Sequence, residues 1–116
     1  MIEPSFAYSA RVLRIIDADT YDVEIDLGFR MVARLPLRLA HIDTPERYTV
    51  AGRAATGYVA ELLGALPAPV VVQTFKPVDK YGRYLADVFI GDVDLAAVLI
   101  HDGYGQGYEG GSKFQP

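Results

Sequence analysis

The stretch Tyr21-Asp22-Val23-Glu24-Ile25-Asp26-Leu27 carries the clearest structural signal in the chain. Apolar and acidic side chains alternate there with a period of two, which places the apolar ones on one face of a β-strand and the acidic ones on the other. Upstream, Arg11–Asp17 is typical of a second strand, and Ala18-Asp19-Thr20 suits a tight turn because aspartate bonds nearby backbone N–H groups. We therefore predict a hairpin with one face in the core.

The rest of the chain predicts three more strands and two helices. The predicted elements are a long strand Arg30–Ile42, a helix Arg53–Leu66, strands Val70–Lys76 and Tyr84–Ile90, and a short helix Leu95–His101. This order is typical of a five-stranded Greek-key barrel of the OB type. We expect an α+β, predominantly β fold: a single domain over residues 1–116, made of a five-stranded OB-fold barrel with two short packed helices. A glycine-rich C-terminal tail is expected at about residues 104–116.

Composition excludes several classes of protein. The 116 residues include no cysteine, so disulfide scaffolds, iron–sulfur sites, thiolate zinc and cysteine nucleophiles are ruled out. No apolar run approaches the roughly 20 residues that a membrane-spanning helix needs, and the N-terminal stretch lacks the pattern of a signal peptide. We expect a soluble, cytoplasmic, monomeric protein that does not engage a membrane.

The net charge of −4 conceals a basic middle segment. Residues 1–29 carry a charge of −4, residues 30–83 carry +4, and residues 84–116 carry −4. Most of the cations in the middle segment are arginines, whose planar guanidinium suits phosphate contacts. A solvated surface of balanced charge is the simpler explanation, and charge alone leaves both interpretations open.

Four acidic residues are not explained by strand alternation: Asp17 and Asp19 at the first turn, and Asp43 and Glu46 in the Asp-Thr-Pro-Glu break after the long strand. Taken singly, each has an ordinary explanation in turn chemistry or strand termination. Carboxylates at two strand ends can, however, converge on one hard cation such as Ca²⁺ or Mg²⁺. Arg38 lies five residues before Asp43 on the same predicted strand, and Arg83 follows a turn at the start of the fifth strand. Either could be a surface arginine, but together with clustered carboxylates they suggest phosphoryl chemistry.

Three blocks of sequence resemble the staphylococcal nuclease (thermonuclease) family. They are Asp17-Ala18-Asp19-Thr20, Arg38-Leu39-Ala40-His41-Ile42-Asp43-Thr44-Pro45-Glu46 and Asp79-Lys80-Tyr81-Gly82-Arg83. They occur in the family's order and with similar internal spacing. The resemblance implies an OB-fold barrel and a Ca²⁺-dependent phosphodiesterase that cuts single-stranded or unwound DNA and RNA to 3′-phosphate products.

The resemblance also implies a metal site. Asp19 and Asp43 would be the carboxylate ligands of Ca²⁺, and Thr44 would add its backbone carbonyl. Asp17 resembles a supporting acid rather than a ligand.

The same resemblance assigns the catalytic roles. Glu46 would be the general base or would orient the attacking water. Arg38 would clamp the scissile phosphate, and Arg83 would stabilise the transition state and the departing 5′ oxygen. The implied substrate-binding residues are Lys80, Tyr81, Leu85 and Tyr108, with Tyr104 as a second candidate for base stacking.

A second function stays open. Some relatives keep the barrel and bind nucleic acid or peptide without cutting it, and these non-catalytic relatives typically lose the acid and arginine set. This chain has every member of that set, which favours a nuclease over a non-catalytic binding module.

Overall fold

The computed structural model describes residues 5–76 and 83–107, without the side chains of residues 75 and 76. The first strands are β1 (Ala7–Asp17), β2 (Thr20–Gly28), β3 (Met31–Leu39) and β4 (Ile42–Asp43), followed by helix α1 (Val50–Leu63). Then come β5 (Ala68–Lys76), β6 (Tyr84–Ile90), β7 (Val93–Asp94), helix α2 (Leu95–His101) and β8 (Gln106–Gly107). No helix in the described part of the chain is long and apolar enough to cross a membrane.

Five long strands close into a barrel. Antiparallel pairing runs in the order β3-β2-β1-β5-β6, and β7 adds to the outer edge of β6. A short parallel pairing of β3 with β6, through Leu37↔Tyr84, Arg38↔Leu85 and Leu39↔Ala86, joins the two ends of the sheet. The predicted α+β barrel with two helices is therefore confirmed.

The alternating stretch of β2 behaves as predicted. Tyr21, Val23 and Ile25 are buried in the core, while the acidic residues between them are only partly buried. Helix α1 packs against the core of the barrel through Ala55 and Val59, which are both fully buried. This core needs no disulfide, because every strand of the barrel contributes a buried apolar row.

The long third strand predicted for Arg30–Ile42 is wrong at its C-terminal end. β3 ends at Leu39, and His41 adopts a positive φ of 68° that breaks the strand before β4. Ile42 and Asp43 pair instead with Gly107 and Gln106 in a separate two-stranded sheet. Two residues of the expected glycine-rich tail are thus ordered as a strand beside the Asp-Thr-Pro-Glu segment.

The boundaries of α1 also differ from the prediction. The helix begins at Val50 rather than Arg53, because the Thr49 hydroxyl accepts a hydrogen bond from the Gly52 N–H and caps its N-terminus. It ends at Leu63 rather than Leu66, because Gly64 adopts a φ of 80° there and stops the helix before the prolines.

A cluster of polar and aromatic side chains fastens α1 to the end of α2. The Tyr58 and Tyr104 rings stack with centroids 4.4 Å apart, and the Tyr58 hydroxyl donates to the Asp102 carboxylate. His101 Nδ1 lies 2.9 Å from the other Asp102 oxygen. Hydrogen bonds from Tyr58 and His101 hold the pKa of Asp102 below its ordinary value of 3.8. Tyr104, the second stacking candidate, thus has one ring face covered by Tyr58.

We expect this cluster to stabilise the fold more at neutral pH than in acid. A carboxylate with a depressed pKa contributes stability above its unfolded pKa and loses that contribution as the pH falls through the folded one. Tyr58→Phe should therefore lower the urea midpoint at pH 7, and the deficit should shrink as the pH falls below about 4. A deficit that stays constant across this range would show that the hydroxyl does not act through the Asp102 charge.

Candidate functional site

The turn between β1 and β2 is buried, unlike most hairpin turns. Ala18, Asp19 and Thr20 are at most 6% exposed, because the end of β3 packs over them. The Leu39 N–H donates to the Asp19 carbonyl at 2.8 Å, and the buried Tyr21 hydroxyl donates to the Ala18 carbonyl. Burial, reinforced by the nearby Asp19 charge, raises the pKa of Tyr21 well above its ordinary value. Its hydroxyl therefore stays protonated and keeps donating to the turn.

The Asp19 carboxylate is held by three different donors. Its Oδ1 accepts from the Thr20 hydroxyl at 3.0 Å. Its Oδ2 accepts from the Thr44 N–H at 3.2 Å and lies 3.3 Å from Arg38 Nη2. These contacts connect the β1–β2 turn to the Asp-Thr-Pro-Glu segment, which lies 25 residues later in the chain. The sequence block around Asp19 and the block around Asp43 therefore meet at one place.

Arg38 bridges the two predicted metal-binding carboxylates. Its Nη2 lies 3.3 Å from Asp19 Oδ2 and 3.5 Å from Asp43 Oδ1, and its Nη1 donates to the Leu39 carbonyl at 2.6 Å. Arg38 is only 9% exposed, although the alternation of β3 places it opposite the core leucines. It is buried because it stands at the barrel end, where the turn and the segment after β3 cover it. One guanidinium between two carboxylates gives this trio a net negative charge.

Arg83 joins the same cluster through Thr20. Its Nη1 lies 3.4 Å from Thr20 Oγ1, and that hydroxyl in turn donates to Asp19. Leu85, a predicted substrate contact, pairs in register with Arg38 across the β3–β6 junction. The structure therefore brings together Asp19, Arg38, Asp43, Thr44 and Arg83. Sequence reasoning missed Thr20, whose only signal was its position directly after Asp19.

Glu46 is exposed and follows Asp43 by three residues in the chain. Its side chain is exposed, whereas Asp19 and Arg38 are buried. Its backbone is fixed nonetheless: the Glu46 carbonyl accepts from the Thr49 N–H at 3.0 Å and from the Thr49 hydroxyl at 2.7 Å. The next residue is also held, because the Arg47 N–H donates to Asp17 Oδ1 at 3.1 Å. Asp17 thus holds the start of the loop after Glu46.

A glycine at the start of α1 allows the Glu46 loop to pack closely. A Cβ built on Gly52 would lie 1.7 Å from the Glu46 carbonyl oxygen, so only glycine fits there. The sequence gave no sign of this constraint, because Gly52 lies just before the predicted helix Arg53–Leu66.

The acidic pair has the chemistry of a site for a hard cation. Asp19 and Asp43 each present an oxygen to the same Arg38 nitrogen, and the Thr44 hydroxyl is buried without a hydrogen-bond partner among the described residues. Residues 5–76 and 83–107 hold no group of three or more His, Cys, Asp or Glu side chains placed for a metal. The chain itself would thus supply two carboxylates and Thr44. Waters and substrate oxygens would have to complete the six to eight ligands that Ca²⁺ takes.

The family model described as staphylococcal nuclease homologue matches residues 36–115. The chain belongs to this family. The match includes Arg38, Asp43, Glu46 and Arg83, while Asp19 lies before its start and is tied to it by the contacts described above.

One relative of this chain is an uncharacterised protein of Bacillus anthracis. It is 32% identical over 101 residues, which cover 82% of this chain and 45% of the relative. The chain thus spans less than half the length of that relative.

Three of the predicted substrate-binding residues, Lys80, Tyr81 and Tyr108, lie outside the described residues.

We expect Gly52→Ala to disturb the Glu46 loop. The added methyl group overlaps the Glu46 carbonyl, so the backbone must move, at a cost of about 1–3 kcal/mol in the free energy of unfolding. Gly57→Ala is the matched control, because Gly57 lies exposed in the same helix and a Cβ added there would meet nothing within 4 Å. That change should stabilise the protein by about 0.5–1 kcal/mol. Urea denaturation measures both effects, and equal stabilities of the two variants would contradict the close approach.

Proposed function

We propose that this protein is a Ca²⁺-dependent nuclease that hydrolyses phosphodiester bonds of single-stranded or unwound DNA and RNA to 3′-phosphate products. The observation that carries the proposal is the placement of Arg38 between Asp19 and Asp43, with Arg83 linked to the same cluster through Thr20. Membership of the staphylococcal nuclease homologue family supports it.

Two arginines and one glutamate would perform the chemistry. Arg38 lies on β3 and Arg83 immediately before β6, so a phosphate bound there would receive charge-assisted hydrogen bonds from both. Glu46 is exposed and would accept a proton at its carboxylate from the attacking water. The new bond forms between the oxygen of that water and phosphorus, and the bond from phosphorus to the 5′ oxygen breaks. Arg83 would stabilise the departing 5′ oxygen, which takes a proton from solvent water. When bound, Ca²⁺ supplies additional neutralisation of the phosphate oxygens.

The charges around Arg38 give a reason for a cation to bind. Arg38 carries one positive charge against the two negative charges of Asp19 and Asp43. A bound cation would compensate these carboxylates and so free Arg38 to contact the phosphate. Without it, the guanidinium remains engaged with the two acids, and phosphate binding has to compete with that pairing.

We expect Glu46→Gln to abolish most of the hydrolysis and leave the fold intact. Loss of a general base typically lowers the rate by about 10²- to 10⁴-fold, and the exposed position of Glu46 allows the isosteric change without repacking. The assay is cleavage of heat-denatured DNA and of RNA with Ca²⁺ or with a chelator, followed by identification of the product ends. Glu61→Gln, an exposed glutamate on α1, is the matched control and should keep full activity.

The same assay separates the two functions considered from the sequence. Calcium-dependent release of 3′-phosphates by the wild type, lost in Glu46→Gln, supports the nuclease. A folded wild type that binds oligonucleotides and cleaves none of them would instead identify a non-catalytic binding module.

A second prediction tests the metal site by stability instead of activity. Arg38→Ala removes the guanidinium that a buried and a half-buried carboxylate share, which should lower the free energy of unfolding by about 3–5 kcal/mol in chelator. If the two acids hold a cation, Ca²⁺ should restore part of this loss, since a ligand that binds only the folded state stabilises it. Thermal unfolding with and without Ca²⁺ measures the recovery.

Arg34→Ala is the control for that experiment. Arg34 lies on the same strand, pairs with Glu24 at 2.9 Å and is 73% exposed, so its loss should cost less than about 1 kcal/mol. Its melting temperature should respond to Ca²⁺ as the wild type does. No Ca²⁺ effect on either the wild type or Arg38→Ala would argue against a cation at the acidic pair.

A further inference from the structure

The loop that carries Glu46 also presents an aromatic ring to solvent. Tyr48 is 70% exposed, although it lies only two residues beyond Glu46. Two residues of extended chain span at most about 7 Å, so the Cα atoms of Glu46 and Tyr48 are no farther apart than that. An exposed tyrosine offers a flat face at a small entropic cost of ordering, since it has only two side-chain torsions.

The backbone beneath this ring is fixed from both sides. Arg53 Nη1 donates to the Tyr48 carbonyl at 2.9 Å. On the other side, the Arg47 N–H donates to Asp17 Oδ1, and Thr49 caps α1 immediately after Tyr48. Tyr48 is therefore an exposed aromatic residue on an anchored segment.

The segment that follows Glu46 carries only positive charge as far as Ala60. Arg47 and Arg53 are both exposed, and no acidic residue occurs between Glu46 and Glu61. Residues 47–60 thus carry a charge of +2 in a chain whose net charge is −4. An exposed planar ring on a segment with two exposed arginines suits a polymer of planar bases joined by phosphates.

We propose that Tyr48 is a base-stacking platform for single-stranded nucleic acid and that Arg47 and Arg53 contact the phosphates beside the stacked base. This subsite lies outside the substrate-binding residues that the sequence suggested. It rests on the proposed nuclease function and adds a binding position next to the general base. Stacking tolerates every base, so the subsite adds affinity without sequence preference.

A fluorescent reporter can test the stacking directly, because the chain contains no tryptophan. Tyr48→Trp places a single indole on the platform, and a short oligothymidylate added in chelator binds without being cut. Stacking of a base on the indole should quench the fluorescence of the indole. Phe29→Trp is the matched control: Phe29 is 95% exposed in the β2–β3 turn, at the opposite end of β2 from the Asp19 turn. It should show little or no quenching.

Affinity measurements give a second readout. Tyr48→Ala should weaken oligonucleotide binding by about 5- to 100-fold, the range found when a stacking aromatic is removed. Tyr48→Phe should bind as the wild type does, because it keeps the ring. Arg47→Ala should reduce the dependence of log affinity on log salt by about 0.7, the value for one phosphate contact on a single strand.

The outcomes distinguish this inference from the function on which it rests. If the wild type binds and cleaves nucleic acid but Tyr48→Ala binds equally well, the platform is wrong and the nuclease stands. Equal quenching in the Tyr48→Trp and Phe29→Trp variants would also overturn the platform, because it would indicate coating of the whole surface. A wild type that neither binds nor cleaves nucleic acid would overturn both proposals.

Discussion

Arg38 contacts both Asp19 and Asp43 at one end of the barrel, and the whole candidate site depends on this contact. Arg38 lies one residue before the end of β3, Asp19 belongs to the β1–β2 turn, and Asp43 belongs to β4. One guanidinium therefore connects three segments that are separate in sequence. The backbone repeats this connection, since the Leu39 N–H donates to the Asp19 carbonyl. At the same point, β3 pairs with β6 and closes the barrel. Barrel closure and the candidate site thus share the same few residues.

Stability alone does not account for a charge cluster at this position. Burying ions costs several kcal/mol for each one, and replacing a buried ion cluster with apolar residues of similar volume is often neutral or stabilising. Two carboxylates also share the Arg38 guanidinium, an arrangement that a purely structural ion pair would not require. A cluster of charges that is this costly to bury is easier to explain if it binds a cation and a phosphate.

The sequence predicted the parts of the fold that follow from local periodicity. The alternation from Tyr21 to Leu27 gave β2 correctly, and the three sequence blocks contain the five proposed site residues that the structure brings together. The break at His41 could not be read in the same way, because its positive φ depends on pairing of β4 with β8, more than 60 residues later. The burial of the Asp19 turn could not be predicted for a similar reason: hairpin turns are usually exposed, and this one is covered by the end of β3, Thr44 and Arg83.

The site divides into a buried part and an exposed part with different physical requirements. Asp19 and Arg38 are buried, so their charges act where water screens them little. In the proposed mechanism Glu46 exchanges a proton with a water molecule. It is exposed on a loop, and a loop alone would position it poorly. Thr49 and Gly52 resolve this conflict, because the first binds the Glu46 carbonyl and the second lets the helix approach it. The N-terminus of α1 therefore serves the site by holding one backbone carbonyl, which leaves the glutamate side chain and the neighbouring Tyr48 ring free to meet a substrate.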